Sequence, residues 1–140
     1  MNELPVRPHG AFNAYDEPLW QSAAKHALAL QRCDECGRYR YPSAVVCPHC
    51  LSFSCSWTEI SGRGWLEAWT VIHKQYFPSL ETPYCVCVVE IDEGPLLIGN
   101  VPVSVVDTLR LKQPMQIWYE DVIYDNGEQR TLFQWRPVAD

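Results

Sequence analysis

Basic charge is what this chain has least of. Eleven Lys and Arg stand against seventeen Asp and Glu, for a formal net charge of −6. Affinity for a phosphate backbone comes from Lys and Arg that neutralise phosphates, so this balance opposes a nucleic-acid groove. No run of about 18 apolar residues occurs, so no segment reads as a membrane helix. The first residues hold no apolar stretch of the kind a secretory signal needs, and a cytoplasmic protein is expected. A glycine-rich phosphate loop, an internal repeat and a low-complexity tract are all missing. His9, His26, His49 and His73 have no motif-bound Ser or Cys beside them, so no nucleophile–base pair is legible.

What remains is an ordinary globular composition. The chain has 140 residues, 47% apolar and 20% charged. That suits one domain, or one domain with a small module, and is long enough to bury a core. Seven cysteines are present. The odd count, the lack of a signal and the pairing of four of them as C-x-x-C argue against a disulfide framework and for a bound metal.

Those four are Cys33, Cys36, Cys47 and Cys50, with ten residues between the pairs. Each C-x-x-C sets two sulfurs on one tight turn. Gly37, directly after the first pair, is free to take positive φ and let backbone amides face the thiolates. Two such turns facing one another make a tetrahedral four-sulfur site suited to structural zinc, with no open position for catalysis. Iron is the minor alternative for the same cage. His49 lies between the second pair and reads as a solvent-facing knuckle residue. The segment 38–46 has the length of a short hairpin, which makes the unit a rubredoxin-like zinc ribbon.

The chain divides into an N-terminal arm and helix over 1–32, the ribbon over 33–53 and a β-rich barrel over 54–140. The first fourteen residues read as an extended arm. Asp16 as cap, Glu17 and Pro18 in the first turn, and Leu19, Trp20, Ala23, Ala24 and Ala27 at helical spacing predict a helix over 17–27. Leu28, Leu30 and Arg32 alternate as a short strand. Strands are then expected over 54–61, 65–76, 84–91, 95–103, 115–124 and 130–138. Asp125-Asn126-Gly127 marks a hairpin turn. In the second strand, Trp65, Glu67, Trp69 and Val71 are assigned to one face. Five to six short-linked strands predict a small barrel of the OB type. Cys85 and Cys87 share a strand face and read as buried apolar side chains, as does Cys55. The loop 74–83 carries Tyr76, Phe77 and Leu80, either as a lid on the barrel or as a partner surface.

The order of parts resembles the family of zinc-ribbon plus OB-fold proteins associated with acyl-CoA and long called a domain of unknown function. The resemblance rests on Leu19-Trp20, on Arg32-Cys33 through Cys36-Gly37, on Tyr41-Pro42, and on Val46-Cys47 through Cys50. It continues with Trp57, Gly62 and Gly64, then Pro83 to Asp92, and ends at Phe133, Trp135, Arg136 and Pro137. It implies an N-terminal helical arm, a ribbon and an OB barrel. It also implies a non-catalytic accessory subunit of a thiolase-fold enzyme (thiolase, acyltransferase or thiolase-like aldolase). Such a subunit would sit in a heterotetramer or larger, with acyl-CoA at the shared interface. His73, Lys74, Tyr76, Phe77 and Arg136 are the candidates for that partner and acyl-CoA surface. The alternatives are a single-stranded nucleic-acid-binding OB module, opposed by the charge, and an iron electron carrier, opposed by the large β domain.

Overall fold

The computed structural model describes residues 3–8 and 13–139. Two sheets organise it. The smaller has three strands in the order β3-β2-β4: β2 Ala29–Cys33, β3 Tyr39–Arg40 and β4 Cys55–Glu59. The larger joins β1 Val6–Arg7, β5 Arg63–Ile72, β6 Tyr84–Ile91, β7 Leu96–Val101, β8 Pro114–Tyr124 and β9 Gln129–Pro137. Its path runs β1-β8-β5-β6-β7, and β9 also pairs with β8. Apart from the parallel β1–β8 pair, the ladders are antiparallel. The sheet curls into a half-barrel consistent with the expected OB fold. Between β7 and β9 there is no backbone ladder. Gln134 bridges the seam instead, its Oε1 accepting from the Asn100 amide at 2.7 Å.

Helix α1, Glu17–Ala24, is shorter than its sequence pattern. His26 takes φ 58°. The His26 amide then donates to Ala23 O and the Ala27 amide to Ser22 O. That is a Schellman stop, a position usually held by Gly or Asn, which is why the pattern ran on to residue 27. Asp16 makes no side-chain cap bond. The Asn13 carboxamide caps the preceding 3-10 turn, Ala14–Asp16, by accepting from the Tyr15 amide. The expected extended arm is partly ordered, because Val6 and Arg7 pair with Ile123 and Tyr124 of β8. Residues 1, 2 and 9–12 of that arm lie outside the described residues.

Three further expectations need correction. The segment expected to open the barrel at 54–61 forms β4, which pairs with β2 of the smaller sheet rather than with a barrel strand. The hairpin between the knuckles reduces to the two residues of β3. Strand β5 does not alternate throughout. Leu66 pairs with Val89 and Ala68 with Val88, so Glu67 is an inserted residue, a β-bulge. Ahead of the bulge Leu66 is fully buried and Trp65 faces outward. Beyond it Trp69 and Val71 pack on the core. One inserted residue moves the apolar side chains to the other face, so Trp65 and Trp69 do not share one.

The core is continuous from helix to barrel. Leu19, Leu28, Leu30, Leu66, Val89, Ile91, Leu97, Met115 and Trp135 are buried together. Gly64 sits where β5 crosses β6, and a Cβ there would lie 2.3 Å from Glu90 O. No other residue fits that crossing without moving backbone.

Candidate functional site

The four knuckle cysteines converge. Their sulfurs all lie within 4.8 Å of one another. Cys33 and Cys50 Sγ are 3.5 Å apart, and Cys36 and Cys47 Sγ are 3.7 Å apart. A tetrahedron with Zn–S bonds of about 2.3 Å has edges of about 3.8 Å, so the sulfurs stand at metal-binding separation. The donor set and the spacing fit structural zinc.

The two knuckles repeat one backbone pattern. The Cys33 amide donates to Arg38 O and the Gly37 amide to Cys33 O. In the second knuckle the Cys47 amide donates to Ser52 O and the Leu51 amide to Cys47 O. The residue after each second ligand is left-handed, Gly37 at φ 77° and Leu51 at φ 66°. In that region a Cβ crowds the following carbonyl and costs about 1–2 kcal/mol. The second knuckle keeps that strain and the first does not. Backbone amides also tune the sulfurs. The Cys50 amide, then that of His49, holds the Cys47 thiol down to about 6 against the opposing effect of burial. The Cys36 amide, followed by that of Glu35, lowers Cys33. Cys50 moves the other way: the Ser52 amide lowers it, but bonds to the Cys33, Cys47 and Cys36 sulfurs push it up to about 12, and deprotonated sulfur is the form that binds metal.

Sequence reasoning missed the residues that brace the ribbon. Gln31 and Arg40 are buried. Gln31 Oε1 accepts from Arg40 Nε at 3.0 Å and from the Ala44 amide at 2.8 Å, and Arg40 Nη2 donates to Ala44 O. Arg32 donates to Gly37 O at 2.9 Å and lies over the Tyr39 ring. Asp34 accepts from the hydroxyls of Ser54 and Ser56, which keeps its carboxyl below the usual range. A polar residue at an inward strand position was the available signal.

The other candidates do not form one cluster. His73, Lys74, Tyr76 and Phe77 begin the 73–83 loop and are exposed. Lys74 Nζ lies 5.1 Å from the Tyr76 ring centroid. The Gln75 carboxamide donates to the carbonyls of Phe77, Pro78 and Leu80, so the loop is braced from within. Leu80 and Pro83 border a groove of about 300 Å³ with Trp118, Asn100 and Gln134. Arg136 is exposed and pairs with Gln116, which pairs with Arg63 at the start of β5. The loop leaves from the other end of β5, roughly 30 Å along a ten-residue strand. Cys85 and Cys87 are buried in the barrel wall. Burial raises Cys85 and pushes Cys87 up to about 12. The described residues include no helix long and apolar enough to cross a membrane.

Fold and metal centre together define a two-module protein, a four-thiolate ribbon on an OB barrel. Residues 20–54 match the family described as the ChsH2 rubredoxin-like zinc ribbon domain, and residues 57–120 match the ChsH2 C-terminal OB-fold domain. The chain therefore belongs to the ChsH2 family of zinc-ribbon and OB-fold proteins, also designated DUF35. It is 36% identical over 117 residues to a probable enoyl-CoA hydratase alpha subunit of Thermomonospora curvata, covering 82% of this chain and 36% of that one. This chain thus spans about a third of that relative's length. A DUF35 domain-containing scaffold protein of Methanothermobacter thermautotrophicus is 24% identical, covering 81% of this chain and 88% of the relative. Among solved structures, a chain of the Ltp2-ChsH2(DUF35) aldolase superposes with a TM-score of 0.82 at 29% identity. The match covers 94% of this chain and all of that one.

Proposed function

We propose that this chain is a non-catalytic accessory subunit that binds a thiolase-fold enzyme and helps to bind that enzyme's acyl-CoA substrate. The observation that carries this reading is the similarity, along the full length of the relative, to a chain of the Ltp2-ChsH2(DUF35) aldolase. The zinc site agrees with a structural task, because four thiolates leave the metal no position for a substrate. The described histidines have places in the fold or on the surface: His26 stacks on Tyr119, and the His49 amide donates to Cys47 Sγ.

His73, Lys74, Tyr76 and Phe77 would then form one contact surface. Its aromatic side chains offer apolar area, and Lys74 and His73 offer donors to CoA phosphates. Arg136, at the other end of β5, would make a separate contact. A heterotetramer of two such chains on an enzyme dimer suits the symmetry of most soluble assemblies.

The test is purification of the tagged chain from its native host, with mass spectrometry of what remains bound and acyl-CoA turnover assayed for the chain, the enzyme and the complex. A stoichiometric thiolase-fold subunit, with turnover in the complex and none in the chain alone, is expected. Turnover by the isolated chain, or recovery with single-stranded nucleic acid in its place, would refute the reading.

A further inference from the structure

The second knuckle ends in an apolar tip that the fold leaves unburied. Leu51 is 71% exposed, Phe53 76% and Val45 49%. Exposed apolar residues scattered singly need no explanation, but a cluster on one rigid element marks an interaction site. Two observations set this tip apart. Leu51 occupies a left-handed position that its counterpart in the first knuckle fills with glycine. Nothing in the chain's own packing rewards the bulkier residue, since most of its side chain faces solvent. Phe53 is also held on a fixed backbone. Ser52 O accepts from the Cys47 amide on one side of it, and Ser54 O accepts from the Asp34 amide on the other. An exposed aromatic side chain on an ordered backbone loses little freedom on binding, as interface anchors do.

We propose that Leu51 and Phe53 form a knob that this chain inserts into an apolar pocket on its enzyme partner. The inference rests on the accessory role proposed above and names the surface that performs it. Charge decides between possible occupants. The Asp34 carboxylate, which accepts from the hydroxyls of Ser54 and Ser56, puts a negative charge on the segment that carries Phe53. A second copy would bring the same carboxylate and its own net charge of −6, and like charges across an interface oppose docking. An enzyme pocket with an apolar floor and a basic rim complements both features.

The test titrates the enzyme recovered with the wild-type chain against zinc-loaded variants by calorimetry. Phe53→Ala and Leu51→Gly should each weaken binding by about tenfold or more, the loss expected of a central anchor. Leu111→Ala removes another exposed leucine, in the turn before β8, and should leave the affinity unchanged. Leu51→Gly should also keep or raise the melting temperature of the free chain, which separates a lost contact from a lost fold. Equal affinity for wild type, Phe53→Ala and Leu51→Gly overturns the knob and leaves the accessory role standing. Failure to recover any enzyme partner overturns both. A dimer of the isolated chain that Phe53→Ala dissolves would put a second copy on the tip and also overturn the proposal.

Discussion

Removing one zinc ligand should unfold the ribbon and spare the barrel. Consider Cys36→Ala, which takes an exposed sulfur from the four-sulfur cluster. Structural zinc contributes roughly 10–16 kcal/mol to the folding of such modules near pH 7. Whole domains are stable by only about 5–15 kcal/mol. The polar bonds of Gln31, Arg40, Arg32 and Asp34 brace the ribbon's strands, but the knuckle tips bury little, since Cys36, Cys50 and Leu51 are exposed. Three remaining thiols cannot keep the site closed, and the amides that the knuckles order should exchange freely. Those are the amides of Gly37, Cys47 and Leu51, bonded within their own turns. Barrel amides such as Leu66, which donates to Gln113 O, and Ile117, which donates to Gly62 O, should stay protected. Zinc content by elemental analysis, with residue-resolved hydrogen exchange, reads both outcomes. One zinc per chain and an unchanged melting temperature in Cys36→Ala would refute the four-thiolate site.

Three further outcomes check the packing. Gly64→Ala should lower stability by about 3 kcal/mol in denaturant titration, because its Cβ meets the Glu90 carbonyl and backbone must move. Tyr119→Phe removes the hydroxyl that accepts from the buried Leu28 amide at 2.9 Å. Leaving that donor unpaired should cost about 1–3 kcal/mol, and no loss of melting temperature would count against the bond. Alkali gives the third. Burial pushes the Cys87 thiol up to about 12, above its unfolded value of about 9. Between those values the unfolded chain releases a proton that the folded chain keeps. Stability should therefore be full below pH 9 and fall as pH rises toward 12, by up to about 1.4 kcal/mol per pH unit from this group. Cys87→Ala should flatten that slope when denaturation midpoints are compared at pH 8.5 and 10.5, and an identical slope would refute the assignment.

The zinc centre was legible in the sequence because ligand spacing is local: two C-x-x-C turns need no distant residue to declare themselves. The β-rich barrel was legible for a similar reason, since period-2 runs and the Asn126-Gly127 turn are short-range signals. What escaped depends on partners far along the chain. Strand β1 exists only because β8 lies beside it. Strand β4 has the same pattern whether it joins the barrel or the ribbon, and its choice of β2 is a tertiary decision. The end of α1 was overrun because His26 adopts a conformation that its residue type does not advertise. The candidate contact residues failed to gather because sequence distance carries no information about which end of a strand a residue occupies. Arg136 shows this, since its register with Gln116 sets it at the start of β5.

The bulge at Glu67 reaches beyond the strand that contains it. Lys112, from the turn before β8, pairs with the Glu67 carboxylate. Beyond Glu67, Trp69 and Val71 pack inward where an unbroken strand with Leu66 inside would turn them out. Glu67 thus lets Leu66 and Trp69, three positions apart in sequence, both pack inward. Deleting that single residue would leave Leu66 and the residues from Ala68 to Ile72 opposite the same partners on β6, now in an unbroken ladder.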